Sequence, residues 1–326
     1  MPETGVMANR WRDRALLALV AALLVAGCSS ATPGDPAPGD ATPAEPTALQ
    51  VTSTTATFED ESRPTVDSEN DQLQSSRTLE TTIWYPADGD GPYPLVLFSH
   101  GYLASPEAYE ELLSRWASAG MVVAAPRFPL SAEGTEEIRA DVVQQPEDVS
   151  FVLDGVLELG RTQGSDIEGL VDEERLAAAG HSLGALTTAL LRSEAYYDDR
   201  FDAALVLAGG ELTYLVPELG EQPTGPFVES GTPVLFVHGG NDDAIPLEQG
   251  EQLYGRAPEP KAFVEVPDAD HSRAYDDDSS PTWPVIAEAT TDYLEWALDI
   301  DPEGLERLRS TVEDSGTAEL VDERLG

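Results

Sequence analysis

The stretch Gly180-His181-Ser182-Leu183-Gly184 constrains the fold of this chain more than any other. A GxSxG pattern is weak by itself, because glycine and serine are common, but here it follows the apolar run 176–179 and opens a helical pattern. A serine held in a sharp turn between strand and helix projects its hydroxyl from the edge of a sheet, and the flanking glycines leave room for the neighbouring strand and helix. The motif therefore predicts that Ser182 is a nucleophile. A glycine-rich loop without chemistry is the alternative.

Between residues 77 and 300 the sequence alternates short β-rich runs with helical patterns, which is typical of an α/β sheet with helices on both faces. Continuous apolar runs indicate strands that are buried on both faces. These runs lie at 95–99, 121–125, 203–207, 234–238 and 262–266. The segment 209–232, rich in Gly, Pro and Glu, is too short for a large helical lid, so we predict a small lid or none.

A serine hydroxyl is a poor nucleophile until a base takes its proton, and in a fold with this turn the order along the chain is serine, acid, histidine. The chain has four histidines. His100 and His181 precede the nucleophile, and His238 closes a strand. His271 lies in the loop after the last predicted strand and is the predicted base. The other three are predicted to be packed or hydrogen-bonded structural histidines.

The acid of such a triad is expected just past the strand 234–238, in the loop 239–246. This loop contains two adjacent aspartates, Asp242 and Asp243, which cannot both face the imidazole. Glu211, after the preceding strand, is a more distant candidate. The acid would hold the imidazole in the right tautomer and stabilise the imidazolium that forms.

Two preorganised N–H donors are needed for the oxyanion that develops during attack on a carbonyl. One is the amide of Leu183, directly after the nucleophile, and the other is expected from the loop that follows the third strand. Phe98-Ser99-His100-Gly101-Tyr102 is that loop, and the N–H of Tyr102 is the candidate. A plain turn at the end of a strand is the alternative.

The N-terminus carries a targeting pattern. Three arginines precede the apolar run 15–26, as in a secretory signal, and this run is shorter than the roughly 20 residues that span a bilayer. It ends in Leu24-Val25-Ala26-Gly27-Cys28, which resembles the bacterial lipobox, in which the cysteine receives a lipid and becomes the first mature residue. We therefore expect an exported lipoprotein, at the cell surface or on the periplasmic side of a membrane, that is anchored through Cys28. An ordinary signal peptide with an incidental cysteine is the alternative.

These patterns predict a signal peptide at 1–27, a disordered Pro/Ala/Thr linker at 28–50, an α/β domain at 51–300 and an acidic tail at 301–326. The tail has Leu305, Leu308 and Val312 at helical spacing, so we predict a peripheral helix there. Because Cys28 is the only cysteine, no disulfide can form within the chain.

The formal net charge is -43, which would repel nucleic acids and anionic lipid headgroups. The only lysine is Lys261. Salt adaptation explains this composition, because high ionic strength screens the mutual repulsion of surface carboxylates. An acidic exported protein in which genome composition replaces lysine by arginine is the alternative.

Three sequence segments together resemble a known group of enzymes: Trp84-Tyr85-Pro86, the run 94–101 and the turn at Gly180. They are similar to the dienelactone-hydrolase-like branch of the α/β-hydrolase superfamily, which includes platelet-activating-factor acetylhydrolases, chlorophyllases and, slightly further off, polyester-hydrolysing cutinases. The resemblance covers residues 77–298. It implies an α/β-hydrolase fold with a mostly parallel, eight-stranded sheet, and it selects Asp242 as the acid, because the family's acid usually stands four residues before a proline.

The resemblance implies a serine hydrolase that cleaves carboxylic esters of short to medium acyl chain through an acyl-enzyme, without a metal or an organic cofactor. True dienelactone hydrolases use a cysteine, so Ser182 favours ordinary esters. Ala185, where cutinase-type enzymes usually have glycine, and the lack of their tryptophan after the serine make polyester activity less expected. We expect an open cleft with Tyr102, His181 and Tyr214 as pocket residues.

Several alternatives stay open at this stage. A polyester or cutin-type hydrolase, a lipid acetylhydrolase, a peptidase and an acyltransferase can all use the same triad. A catalytically inactive, lipid-anchored binding protein is the alternative of another class. The expected partners are a small-molecule, lipid or polymer ester and, through the anchor, a membrane, with no nucleic acid. The oligomeric state is left open, with a monomer favoured.

Overall fold

The computed structural model describes residues 48–325, except residues 68, 70 and 221–223. A nine-stranded sheet lies at the centre of these described residues. The predicted signal peptide, Cys28 and nearly all of the predicted linker lie outside the described residues. The strands are β1 (Val51–Asp60), β2 (Thr65–Val66), β3 (Gln72–Gln74), β4 (Arg77–Pro86), β5 (Tyr93–Ser99), β6 (Val122–Arg127), β7 (Val171–His181), β8 (Ala203–Leu207), β9 (Val234–Gly239), β10 (Lys261–Val266) and β11 (Glu319–Arg324). The helices are α1 (Glu110–Ser118), α2 (Gln145–Arg161), α3 (Leu183–Leu190), α4 (Leu212–Leu215), α5 (Leu247–Arg256), α6 (Arg273–Asp276), α7 (Trp283–Ala297) and α8 (Gly304–Ser315).

The strand order in the large sheet is β1-β4-β6-β5-β7-β8-β9-β10-β11, and β2 pairs with β3 separately. The six central strands from β6 to β10 are mutually parallel, whereas β4 and β11 run antiparallel to their neighbours. This arrangement confirms the predicted mostly parallel α/β sheet. The predicted number of eight strands is corrected to nine.

Helices cover both faces of the sheet because the central strands carry apolar side chains on both sides. In β5, Val96 and Phe98 belong to the cluster that includes α1, α7 and α8, whereas Leu95 and Leu97 pack with α2. Successive side chains of a strand point to opposite faces, so one continuous apolar run serves two helical layers. The sheet edge that carries the loops after the parallel strands is thereby held rigidly from both sides.

The acidic tail forms more than the predicted helix. Leu308 and Val312 of α8 are buried against the domain, and Gly304 begins this helix where a Cβ atom would come within 2.5 Å of the carbonyl oxygen of Asp292. The chain then turns back and adds β11 beside β10 at the edge of the sheet. This strand is the origin of the ninth member of the sheet.

A buried ion-pair network ties β4 to the start of α2. The Arg77 side chain is only 1% exposed, and its guanidinium donates to the carboxylates of Asp141 and Asp148 at 2.5 to 3.0 Å. Arg63 adds a contact of 2.7 Å to Asp148. Burial opposes the charge on Arg77, but both carboxylates raise its pKa above the ordinary value.

Lys261 is 5% exposed and closes the C-terminal end of α5, where its Nζ donates to the carbonyl oxygens of Tyr254 and Ala257 at 2.7 Å each. A cation is favourable at that end of a helix dipole. The ring of Tyr254 lies 4.2 Å from the ammonium and adds a cation–π contact.

The segment 209–232 contains α4 and a single 3₁₀ turn, Pro217–Leu219, among its described residues. This agrees with the predicted small lid. Of the helices in the described ranges, none has the length and apolar character needed to cross a membrane.

Candidate active site

Ser182 occupies a strained turn between β7 and α3, with φ 56° and ψ -117°. Such a backbone conformation is rare for a residue with a side chain and persists only where its surroundings impose it. A Cβ atom on Gly180 would lie 2.2 Å from the carbonyl oxygen of Gly184, and one on Gly184 would lie 2.0 Å from that of Ser99. Both glycines of the motif are therefore required by close backbone approach, and together they fix the serine at the sheet edge.

The structure brings the three predicted triad side chains together. The Oγ of Ser182 lies 2.9 Å from the Nε2 of His271, and the Nδ1 of His271 lies 2.7 Å from the Oδ2 of Asp242. These residues follow β7, β10 and β9, so all three lie past the carboxyl ends of parallel strands. The arrangement matches the geometry in which a base takes the proton of a serine hydroxyl.

The environment of Asp242 distinguishes it from the other candidate acids. Its Oδ1 accepts hydrogen bonds from the N–H groups of Ala244 and Ile245 at 2.9 and 2.7 Å, which leaves Oδ2 for His271. Burial acts to raise the pKa of Asp242, but the hydrogen bonds from His271 and Ile245 and the nearby imidazoles lower it below the ordinary value. The carboxylate therefore stays ionised at neutral pH.

The other two candidate acids lie elsewhere. Asp243 is exposed, and no hydrogen bond or ion pair joins it to His271 among the described residues. Glu211 forms an ion pair with Arg256 of α5. Neither carboxylate has the position of Asp242 beside the imidazole.

The amides of Tyr102 and Leu183, the two candidate oxyanion donors, lie beside Ser182. A Cβ atom on Gly101 would lie 3.3 Å from the Cβ of Ser182, so the loop that carries the N–H of Tyr102 touches the serine. Leu183 is the first residue of α3, where amides have no partner within the helix. Within the described ranges, no hydrogen bond is formed by either amide. Both N–H groups are thus available to an oxyanion.

His100 orients the peptide group between Gly101 and Tyr102. Its Nδ1 lies 2.7 Å from the carbonyl oxygen of Gly101, which can only accept, and its Nε2 accepts from the N–H of Phe128 at 3.1 Å. Burial lowers the pKa of His100 to about 4, so the ring is neutral at pH 7. Because the carbonyl of Gly101 and the N–H of Tyr102 belong to one rigid peptide plane, this bond also directs the N–H of Tyr102, the candidate oxyanion donor.

His238 orients the loop that carries Asp242, as His100 orients the loop that carries Tyr102. Its Nε2 lies 2.8 Å from the carbonyl oxygen of Ile245, and its ring lies 3.6 Å from the Oδ2 of Asp242. Burial lowers its pKa below the ordinary value. The loop that carries the acid is therefore held by a buried, neutral imidazole.

His181 was also predicted to line the substrate pocket. The residue is 3% exposed, and its two ring nitrogens lie 2.8 Å from the hydroxyl of Tyr109 and 2.7 Å from the carbonyl oxygen of His271. Both ring nitrogens of His181 are therefore engaged by groups of the protein. Sequence reasoning anticipated a hydrogen-bonded histidine here but not its partners.

The other predicted pocket residues flank the triad. Tyr102 packs against the apolar cluster that includes Leu183 and Ile245, and Arg139 stacks on its ring at 4.5 Å. Tyr214 is 43% exposed, and its hydroxyl donates to the carbonyl oxygen of Ala244 at 3.3 Å, beside the acid loop. The two tyrosines therefore stand on the oxyanion side and the acid side of the nucleophile. Within the described ranges, no cluster of metal-ligating side chains is present.

The model of the chlorophyllase family matches residues 53–203, just under half of the chain. The matched range contains Tyr102, Ser182 and Leu183 and ends before Asp242 and His271.

Short stretches of the chain also match curated proteins. It is 42% identical over 48 residues to the uncharacterized protein YfhR of Escherichia coli strain K12, which is 15% of this chain and 17% of that protein. It is 46% identical over 46 residues to YfhR of Salmonella typhi, which is 14% of this chain and 16% of that protein. The matches thus cover about a sixth of the length of these relatives.

Proposed function

We propose that this α/β-hydrolase, whose residues 53–203 match the chlorophyllase family, is a serine ester hydrolase with the triad Ser182, His271 and Asp242. The family match indicates an ester-cleaving hydrolase in general terms. The observation that carries the finer proposal is the continuous hydrogen-bond chain from Asp242 through His271 to Ser182, at 2.7 and 2.9 Å.

The mechanism that this geometry supports is acyl transfer in two steps. Ser182 attacks the ester carbonyl while the Nε2 of His271 takes its proton, and the amides of Tyr102 and Leu183 stabilise the oxyanion. His271 then gives the proton to the leaving alcohol, and water repeats the sequence to release the acid. Asp242 accepts from Nδ1, which leaves Nε2 free to act as the base.

The surroundings of Ser182 support one substrate class over others. The small lid and the apolar cluster behind Tyr102 and Leu183 support esters with short or medium acyl chains. The exposure of Tyr214, beside the acid loop, supports room for a larger alcohol part on that side of Ser182. A polyester or a lipid ester is the second candidate, and it shares the same triad.

Chemical labelling tests the nucleophile. A fluorophosphonate probe should label the wild-type protein at one site, and Ser182→Ala should abolish both labelling and turnover of p-nitrophenyl acetate. Ser279→Ala, at an exposed serine, is the matched control and should behave as wild type. Retained turnover in Ser182→Ala would reject the triad, and an unlabelled wild type would favour the binding-protein alternative.

A graded substrate series separates the remaining alternatives. The series contains p-nitrophenyl esters from acetate to palmitate, a matched amide and an added alcohol acceptor. We expect kcat/KM to be highest for the short or medium esters. Faster amide cleavage or transfer to the alcohol would favour a peptidase or an acyltransferase. Running the series from low to high salt also tests salt adaptation, which predicts that activity rises with ionic strength.

The lipid anchor is a separate proposal. Metabolic labelling with a fatty-acid analogue should label the full-length chain in a bacterial host, and Cys28→Ser should remove the label and release the protein from membranes. Equal membrane association of both would reject Cys28 as the attachment site.

A further inference from the structure

Three hydrogen bonds, two of them buried and one partly buried, connect the oxyanion loop to the base loop through the residue before the nucleophile. The N–H of Gly101 donates to the hydroxyl of Tyr109 at 3.2 Å, this hydroxyl lies 2.8 Å from the Nδ1 of His181, and the Nε2 of His181 lies 2.7 Å from the carbonyl oxygen of His271. Tyr109 and His181 are 72 positions apart in the sequence, and His181 and His271 are 90 apart, so the bonds join the segment after β5, the end of β7 and the loop after β10.

The donor and acceptor of each of these three hydrogen bonds are fixed by the chemical types of the groups. A backbone carbonyl only accepts, so the Nε2 of His181 carries the hydrogen that points to His271. The hydroxyl of Tyr109 accepts from Gly101, and its single hydrogen points to the Nδ1 of His181, which is the unprotonated nitrogen of that tautomer. All three bonds are satisfied at once by one neutral tautomer, with no donor facing another donor.

Packing holds this arrangement in place. The rings of Tyr275 and His271 lie 4.7 and 5.0 Å from the ring of His181, and Phe98 lies 4.8 Å from the ring of Tyr109. Tyr109 and His181 are nearly inaccessible to solvent, with exposures of 2% and 3%. Burial lowers the pKa of His181 to about 3 and raises that of the Tyr109 phenol, so both groups are neutral at pH 7.

We propose that His181 is a positioning residue that, with Tyr109, sets the distance between the oxyanion amide of Tyr102 and the base His271. This inference rests on the proposed function, because it assigns a role within that site. The bonds end on Gly101, one residue before Tyr102, and on the backbone of His271 itself. Loss of either group would let the two loops move independently around Ser182. Displacements of about 1 Å at a reacting centre cost on the order of 10²-fold in rate.

Kinetics of single variants form the first test. Tyr109→Phe removes one oxygen from the chain and keeps the ring, and His181→Phe removes both ring nitrogens. We expect kcat for p-nitrophenyl acetate to fall by about 10- to 100-fold with KM within about twofold, because ground-state binding does not depend on the two loops being in register. His181→Gln, which retains one donor and one acceptor, should recover part of the loss.

Tyr275→Phe is the matched control. It removes a hydroxyl from another ring that packs on His181, but this hydroxyl contacts the carbonyl oxygen of Val237 at 3.4 Å and takes no part in the chain. Its kcat should remain near that of wild type. Thermal unfolding of each variant separates a shift in kcat from simple loss of folded protein.

A double-mutant cycle and NMR give readouts that a merely structural role would not move. Because Tyr109 and His181 act in series, the double variant should lose no more activity than His181→Phe alone. The chain has only four histidines, so their ¹⁵N signals can be assigned individually. These spectra should place the proton of His181 on Nε2 in the wild type and should show an altered tautomer population in Tyr109→Phe.

The outcomes separate this inference from the proposed function. An unlabelled, inactive wild type would overturn both. If the wild type is active, any of three results would overturn the role of His181 alone. These are a kcat within twofold of wild type in Tyr109→Phe and His181→Phe, multiplicative losses in the double variant, and a proton on the Nδ1 of His181.

Discussion

Gly184→Ala is the substitution for which the structure gives the sharpest expectation. The added Cβ would lie 2.0 Å from the carbonyl oxygen of Ser99, 2.4 Å from its carbonyl carbon and 2.7 Å from the carbonyl oxygen of His100. All three are backbone atoms of β5 and its loop, so no side chain can rotate away to make room. Ordinary contacts of a Cβ begin near 3.4 Å, so α3 and the oxyanion loop must separate by more than 1 Å.

That displacement affects stability and catalysis together. Overpacking of this kind typically costs about 1–3 kcal/mol, and we expect the upper part of that range because the clash is with backbone. The helix start that moves carries the N–H of Leu183, and the loop that moves carries that of Tyr102. With both donors misplaced by about 1 Å, kcat should fall by at least about 10²-fold.

Gly255→Ala provides the matched control. Gly255 lies in α5 with no atom within 4 Å of the added Cβ, and alanine is the better helix former by about 1 kcal/mol. Its activity should be unchanged and its stability equal or higher. Urea unfolding and p-nitrophenyl acetate kinetics measure both quantities. A Gly184→Ala variant with wild-type kcat would refute the view that close approach of α3 and β5 assembles the oxyanion site.

Three further predictions concern the acid, the buried histidines and the ion-pair network. Asp242→Asn would present a donor to the Nδ1 of His271 and favour the wrong tautomer, so kcat should fall by about 10⁴-fold, whereas the exposed Asp243→Asn should retain activity. A histidine whose folded-state pKa is lowered loses stability as pH falls below about 6.5, because the unfolded chain takes up the proton first. With pKa values of about 4 for His100 and about 3 for His181, each should cost about 2 kcal/mol at pH 5 relative to pH 7, and urea unfolding of His181→Gln should show a shallower pH dependence by that amount. Arg77→Leu leaves the buried carboxylate of Asp141 without its partner and Asp148 with Arg63 alone, and it should cost about 3–5 kcal/mol in urea unfolding, whereas loss of the exposed ion pairs in Arg324→Gln should change stability little.

The central sheet could be predicted because its strands are buried on both faces and therefore carry continuous apolar runs. The strand at the N-terminal edge gave no such signal: β1 is rich in threonine, and it pairs with β4 alone. An edge strand buries little side-chain surface, so its alternation is faint. The strand β11 was missed for a related reason, since Glu319, Asp322 and Glu323 hide it within an acidic tail.

The candidate site divides in the same way. The candidate nucleophile and base could be predicted from local turn patterns and chain order, but the choice of Asp242 over Asp243 needed the family resemblance. The structure brings the three predicted side chains together. The partners of His181 could not be predicted, because Tyr109 and His271 lie 72 and 90 positions away and only the folded sheet makes them neighbours. A hydrogen-bond acceptor on a distant backbone leaves no mark in the sequence.

The enclosed position of Lys261 has a practical consequence for handling this protein. Reagents that couple to lysine amines would find a single target in the chain, and its ammonium is already engaged by two carbonyl groups and an aromatic ring. Attachment to amine-reactive supports through a lysine side chain should therefore be inefficient. Carbodiimide activation of the abundant surface carboxylates offers many more points of attachment.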